Sequence, residues 1–236
     1  METQLAQKDY DQYDRQIHIW GAGNQRKIMH STILFINCDG LCSEIAKNVV
    51  LAGMNVVLCD DNRVTASEYK TNFFLRKEDD SKLRNKCIKE RLQALNPRAT
   101  IQSISVQSIQ SFQQHPFVVC CNPTLDELKW LYSVPMWGSL LCVWSTAEWG
   151  VILNLSYFSS VDSFLSCGEP KDSIVSFLKE ALKTKAIPSP SPISIQAIIG
   201  GLLSQVLVSV VTGQEELKCA LEFDACTLNG TQFEYN

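Results

Sequence analysis

The sequence is poor in the residues that metal centres and general-base chemistry draw on. Only three histidines occur in 236 residues, His18, His30 and His115. None of the ten cysteines forms a C-x-x-C pair, which argues against a zinc ribbon or a thioredoxin-type motif. Glycine and proline are sparse as well. The 11 Gly and 8 Pro follow no period, which excludes collagen-like and low-complexity chains. Charged residues make up 19%, below the roughly 25% of an average globular protein, so a long disordered chain is excluded too. Positive charge is not in excess: 21 Lys and Arg face 25 Asp and Glu, for a net charge of −4. That balance argues against a general nucleic-acid binder. The opening METQLAQKDYDQYDRQ has no apolar run of the kind a secretory signal needs. Reduced, mostly buried thiols in an intracellular chain are therefore expected.

What the sequence has is apolar surface, 45% of its residues, arranged in an α/β alternation. Tyr13–Met29 reads as a helix interrupted near Gly21-Ala22-Gly23, with Ile17, Trp20 and Ile28 on one side. Thr32–Asn37 is a short apolar run suited to a strand buried on both faces. Leu41–Ala52 repeats apolar residues four apart, with Gly53 as its stop, and Asn55–Cys59 is the next strand. A right-handed βαβ unit follows from that order. Leu83–Leu95 is predicted helical, with Leu83, Cys87, Ile88, Leu92 and Leu95 inward, and Asn96-Pro97 as its stop. Strands are predicted over Thr100–Val106 and Phe117–Cys121. Thr124–Glu127 is a capping box that opens a helix with Leu125, Leu128 and Leu131 inward, ended by Pro135. Ser139–Trp144 and Val151–Leu155 are further strands, with a turn at Glu148-Trp149-Gly150.

Pro170–Lys183 is predicted to be an amphipathic helix presenting Ile174, Phe177, Leu178, Ala181 and Leu182 on one face. Pro188–Pro192 is a stiff linker. No charged residue occurs from Ala186 to Gln214. Ser194, Gln196, Ser204, Gln205 and Ser209 interrupt the apolar stretch Ile193–Val211. The apolar residues Ile198, Ile199, Leu202, Leu203, Val206, Leu207, Val210 and Val211 recur on one side. That pattern predicts a buried core or interface helix rather than a membrane span, with Gly200 and Gly201 admitting close helix packing. A hairpin around Asn229-Gly230 closes the chain. The fold class expected is α/β: one domain over residues 1–236, built on a doubly wound, mostly parallel Rossmann-like sheet.

Such a sheet binds nucleotide phosphates at its first strand–helix turn, where glycines let backbone approach the phosphates. Here that turn is Asn37-Cys38-Asp39-Gly40-Leu41-Cys42. Only Gly40 remains of a G-x-G-x-x-G pattern, and a lone glycine is explained as turn geometry. Asp39 adds negative charge where phosphate would sit. The fold is of a nucleotide-binding kind, but its own pocket looks unfit.

Tyr13-Asp-Arg-Gln-Ile-His-Ile-Trp-Gly21 resembles the opening motif of the ubiquitin-like-protein activating enzymes, the ThiF/MoeB superfamily. Glu44–Asn48 with Leu51-Ala-Gly53 resembles the first crossover helix of its SUMO-activating, Aos-type branch. Asn72-Phe-Phe-Leu75, Leu95-Asn-Pro97 and Ile199-Gly-Gly201-x-x-x-Gln205 agree in order. The resemblance implies ATP- and Mg²⁺-dependent adenylation of a small modifier's C-terminal glycine, then thioester transfer to a cysteine. Eukaryotic members pair a catalytic subunit with a partner whose own ATP site has decayed.

By that resemblance this chain is a pseudo-adenylation domain. It binds no cofactor alone and leaves ATP and Mg²⁺ to a larger catalytic subunit that carries the cysteine and takes a SUMO-like modifier. The Mg²⁺-binding aspartate of active members falls at about Pro123, and their phosphate-contacting lysine near Arg84. The insertion after the Val151 strand is shortened to about residues 156–192. Arg15 is implied to reach the partner's ATP phosphates as an arginine finger in trans; the other reading is a surface arginine paired with Asp11 or Asp14. Asp60 stands where a degenerate ribose contact would be. Cys167 lacks a nearby histidine in sequence and is read as non-catalytic. Cys120-Cys121 is read as core, and His18 as a partly exposed, non-catalytic residue. No metal site, nucleic acid or membrane is expected, and the location expected is nucleus or cytoplasm. Two other readings remain: a regulatory subunit for the Rub/Nedd-type modifier, and a homodimeric ThiF-like scaffold. An NAD(P)-dependent oxidoreductase is disfavoured by the broken glycine turn.

Overall fold

The structure, a computed structural model, describes residues 6–112, 117–134, 138–168, 173–185, 191–214 and 220–234. Most of the expected Pro188–Pro192 linker, the start of the expected Pro170 helix, Pro135 and His115 lie outside the described residues. Among the described residues eight strands form one sheet in the order β3-β2-β1-β4-β5-β6-β7-β8. Strands β1 (Thr32–Ile36), β2 (Asn55–Cys59), β3 (Ile101–Ile104), β4 (Phe117–Cys121) and β5 (Ser139–Ser145) run parallel. Strands β6 (Trp149–Asn154), β7 (Ala220–Asp224) and β8 (Asn229–Phe233) extend the sheet antiparallel. The order 3-2-1-4-5 is that of a doubly wound sheet, the fold class expected, and β1, β2, β4 and β5 read as apolar runs because helices cover both faces, while the edge strand β3 does not. β3 is shorter than its alternating pattern suggests: from Val106 the chain turns into a 3-10 segment.

On one face pack α2 (Gly40–Ala52), α3 (Arg84–Leu95) and α7 (Ile193–Thr212). On the other lie α4 (Leu125–Ser133), α5 (Val161–Ser166) and α6 (Ile174–Thr184). Helix α1 (Gln7–His30) lies against α2 and α7 and departs from helical geometry at Tyr13 and at Gly21, where φ is 82°. The expected interruption at Gly21 is therefore a kink that only glycine adopts without strain. Ile28 is fully buried, while Ile17 and Trp20 are half-buried.

Helix α7 is long and apolar enough to cross a membrane by length and composition. It sits instead against α2, with Ile195, Ile199, Leu203 and Leu207 buried in the core between them. Its buried face is turned from the one expected, and Ile198 is exposed. Gly200 fixes the crossing: a Cβ there would lie 2.9 Å from Glu44 Cβ and 3.2 Å from the backbone of Ile45. The helix that Gly200 admits is the chain's own α2.

Four other expectations are corrected. The α6 face is rotated by one position, burying Val175, Leu178, Lys179 and Leu182 and exposing Phe177. Burying Val175 places its N–H on the Glu222 carboxylate at 2.7 Å. The β5–β6 turn lies at Thr146–Glu148, because the Thr146 hydroxyl accepts from the N–H groups of Glu148 and Trp149 and ends the ladder there. The last hairpin turns at Ala225–Leu228, capped by the Asp224 carboxylate, so Asn229 and Gly230 open β8 instead. At the end of α3, Leu95 is exposed rather than inward.

Candidate functional site

The sheet reverses its winding between β1 and β4. The helix after β1, α2, covers one face and the helix after β4, α4, covers the other. In doubly wound folds the crevice beyond these two strand ends is where ligands bind. Here it is laced across. Asn37 and Asn122 follow the two strands directly, both in the left-handed backbone region at φ 64° and 46°. Asparagine tolerates that region because its side chain hydrogen-bonds locally. Asn37 Nδ2 donates to the Cys121 carbonyl at 3.2 Å and to Glu127 Oε1 at 3.1 Å. Asn122 Nδ2 donates to Asp39 Oδ2 at 2.6 Å, and its Oδ1 accepts from the Ser145 N–H at 3.0 Å.

Asp39 caps α2, its Oδ1 accepting from the Cys42 N–H at 2.9 Å. A helix N-terminus left open would offer its N–H groups to a phosphate. This one already holds a carboxylate from its own chain. Burial pushes the Asp39 carboxyl above the ordinary carboxylate range, although the Cys42 and Asn122 hydrogen bonds oppose the shift. Gly40 is required for packing and not, as expected, for turn geometry. A Cβ on it would lie 2.5 Å from the Thr71 carbonyl oxygen and 2.5 Å from Gln196 Oε1. The space beside the first turn of α2 is thus filled by backbone from the Asn72 loop and by the amide of α7's Gln196. Gln196 Nε2 donates to the Ser191 carbonyl at 2.9 Å.

Asp60, at the end of β2, has 2% of its surface exposed. Its Oδ2 accepts from the Cys38 N–H at 2.9 Å and from Arg84 Nε at 2.6 Å, and its Oδ1 from the Asn62 N–H at 2.8 Å. Arg84 also pairs with Glu68. Burial works against the Arg84 cation, but the two carboxylates outweigh it and hold its pKa above the ordinary value. Glu68 is pushed up by burial, yet hydrogen bonds from Thr65 and the Arg84 charge leave it below its ordinary value. The residue at the phosphate-lysine position is thus bound within the chain. At the metal-aspartate position, Pro123 is buried and its carbonyl accepts from Trp144 Nε1 at 2.9 Å. These residues do not fit a nucleotide with its metal.

Arg15 is different. It lies on the exposed side of α1 and makes no hydrogen bond or ion pair to any described residue. Asp11 accepts from Gln7 Nε2 at 3.0 Å, and Asp14 lies 3.4 Å from the exposed His18 Nδ1. Neither carboxylate pairs with Arg15.

Among the described residues seven cysteines are buried, Cys120 and Cys121 with them as expected. Burial pushes the thiols of Cys38 and Cys42 well up, away from the reactive thiolate form. Cys167 is partly exposed, its carbonyl accepting from the buried Lys179 Nζ at 2.7 Å. Among the described residues no group of three or more His, Cys, Asp or Glu is placed to hold a metal.

Sequence reasoning missed the residues that close the crevice. Asn122 and Thr71 carry no signal in the sequence reading, and Gln196 enters it only as an interruption of an apolar helix. A polar residue in an otherwise apolar core helix was the one available signal.

An α/β chain with this strand order and a crevice at its switch point defines a doubly wound, Rossmann-like domain. The chain belongs to the ThiF family, whose model matches residues 13–131. Curated relatives include the DNA damage tolerance protein RHC31 of Saccharomyces cerevisiae, 33% identical over 128 residues, 52% of this chain and 37% of that protein. SUMO-activating enzyme subunit 1 of Dictyostelium discoideum is 34% identical over 122 residues, 50% of this chain and 37% of that protein. The human protein of that description is 33% identical over 126 residues, 50% of this chain and 36% of that protein. The chain thus spans little more than a third of the curated relatives it matches. The fold likeness runs further along the chain: a crystal structure of E. coli MccB with ATP has a TM-score of 0.71 at 11% identity, over 95% of this chain and 72% of that one.

Proposed function

We propose that this chain is the small, non-adenylating subunit of a heterodimeric SUMO-type activating enzyme. Its relatives named SUMO-activating enzyme subunit 1 support the branch. The observation that carries the division of labour is the Asp39 carboxylate on the N-terminus of α2, joined by Asn122 across the crevice. A nucleotide phosphate at that place would meet a carboxylate in place of open N–H donors. ATP and Mg²⁺ are then handled by the larger subunit, which also carries the acceptor cysteine. The contribution of this chain is Arg15, unpaired and facing outward, as a cation for the partner's phosphates. An always-charged planar fork suits the negative charge that adenylate transfer concentrates on the α-phosphate. Asp60 on this reading is a remnant ribose position now engaged by Arg84 and the Cys38 N–H. The site of action proposed is nucleus or cytoplasm.

Co-expression and capture tests the reading. The tagged chain should retain a larger protein with an intact glycine-rich loop. The pair should form an ATP-dependent thioester with a SUMO-type modifier. Thioester with a Rub/Nedd-type modifier instead would move the assignment within the family. Capture of a second copy alone, with no thioester, would make the chain a homodimeric scaffold.

A further inference from the structure

We propose that Asn96 and Tyr13 form a latch that positions Arg15, and that both are positioning residues for adenylation by the assembled enzyme. The proposal rests on Arg15 acting on the partner's nucleotide. Its grounds are the geometry of the first segment of α1.

Asn96 follows α3 and is fully buried. Its side chain uses its whole hydrogen-bonding capacity. Nδ2 donates to the Tyr13 hydroxyl and to the Val50 carbonyl, each at 2.8 Å. Oδ1 accepts from Gln12 Nε2 at 3.1 Å and from the Arg98 N–H at 3.2 Å. One side chain thus grips two successive residues of α1 and ties them to the end of α2 and the loop after α3. Arg98 pairs with Asp9 one turn earlier. Gln16 Nε2 donates to the Leu51 carbonyl at 3.3 Å one turn later.

Tyr13 is where α1 leaves helical geometry, at φ −108° and ψ 18°, and it is 2% exposed. Its ring rests on Gly53, whose φ is 106°; a Cβ there would come within 3.1 Å of the Tyr13 ring and hydroxyl. Gly53 therefore has two reasons to be glycine, the left-handed cap of α2 and the close seat of Tyr13. Tyr13 is held inward at the kink, while Arg15, two residues on, is exposed. The segment has few apolar anchors of its own, since Gln12, Asp14, Arg15, His18 and Ile19 are all exposed. Hydrogen bonding to Asn96 therefore adds to the seat of the Tyr13 ring on Gly53 in setting its direction.

Tyr13→Phe keeps the ring on Gly53 and removes only the hydroxyl, so it tests the latch without emptying the site. In the assembled enzyme it should lower the maximal rate of modifier-dependent ATP–pyrophosphate exchange by about tenfold to 10²-fold, the cost of a misplaced catalytic group, with little change in the KM for ATP. Combined with Arg15→Ala it should slow exchange no further than Arg15→Ala alone, because a latch with nothing to position has no effect. In the isolated chain, the amides of residues 12–20 should exchange hydrogen faster in Tyr13→Phe than in wild type. Asn96→Asp, which loses both donated bonds, should do the same. Multiplying rate losses in the double variant would overturn the proposal and leave a merely structural hydroxyl. Wild-type exchange in Tyr13→Phe with a slowed Arg15→Ala would overturn the latch and leave the arginine reading standing. Wild-type exchange in Arg15→Ala would overturn that reading and this proposal with it.

Discussion

Asp39 and Asn122 meet at 2.6 Å across the ends of two adjacent parallel strands, β1 and β4, at the point where a doubly wound sheet opens for a ligand. One is the N-cap of α2 and the other stands one residue past β4. The contact joins the two halves of the crevice and places a carboxylate on the helix end that would otherwise receive phosphate.

The first prediction follows from that contact. The isolated chain should give no heat on calorimetric titration with Mg-ATP up to millimolar nucleotide. Saturable binding at micromolar affinity would show that the crevice opens.

Gly40 offers a second. Gly40→Ala places a methyl group 2.5 Å from a backbone carbonyl that cannot swing away. Overpacking of this kind costs about 1–3 kcal/mol, so the urea midpoint should fall without a change in slope. A midpoint equal to that of wild type would mean that the Thr71 loop gives way freely.

Thiol reactivity gives a third. In the native protein, Cys167 and Cys226 should react with a thiol reagent well before the seven buried cysteines, whose modification should wait for unfolding. Burial pushes Cys59 and Cys121 up to about 12. Rapid native labelling of Cys38 or Cys42, identified by peptide mapping, would contradict the closed crevice.

The fourth concerns acid. The hydrogen bond from Arg91 holds the Asp79 carboxyl below its ordinary 3.8. A group lowered in the native state stabilises the fold at pH values above its unfolded pKa, and that stability fades as pH falls through the native value. Asp79→Asn should therefore reduce stability at neutral pH and flatten the decline below about pH 4. Asp39, raised by burial, works in the opposite direction: taking up a proton favours the native state as pH falls. Stability curves for wild type and Asp79→Asn that stay parallel through the acid range would contradict the Arg91 pairing.

The alternation of strands and helices was legible because β1, β2, β4 and β5 are continuous apolar runs between turn residues, as in Phe117–Cys121, and because the Thr124–Glu127 box and Gly53 mark helix ends through local chemistry. What could not be read was tertiary. Which face of α7 turns inward depends on α2 meeting Gly200: the apolar side legible in the sequence is only partly the one buried, and Gln196, Ser204 and Ser209 lie on the buried face. The hairpin turns slipped because the Asp224 cap outranks the Asn229-Gly230 signal and the Thr146 cap ends the β5 ladder ahead of Trp149-Gly150. At the candidate site, the eroded glycine turn was visible. The residues that seal it come from positions far apart in the chain, Thr71, Asn122 and Gln196, and only the fold brings them to Asp39 and Gly40.

The central claim is that this chain supplies Arg15 to an adenylation it does not itself perform. The most direct measurement is modifier-dependent ATP–pyrophosphate exchange by the assembled pair, wild type against Arg15→Ala, with assembly checked by light scattering. Loss of one cationic donor at a phosphate typically costs about 10²–10³ in rate, and the account predicts a loss of that order with the heterodimer intact. Arg15→Lys should recover part of it, because an ammonium carries the charge without the planar fork. Exchange at the wild-type rate in an intact Arg15→Ala pair would contradict the claim and make Arg15 a solvated surface residue.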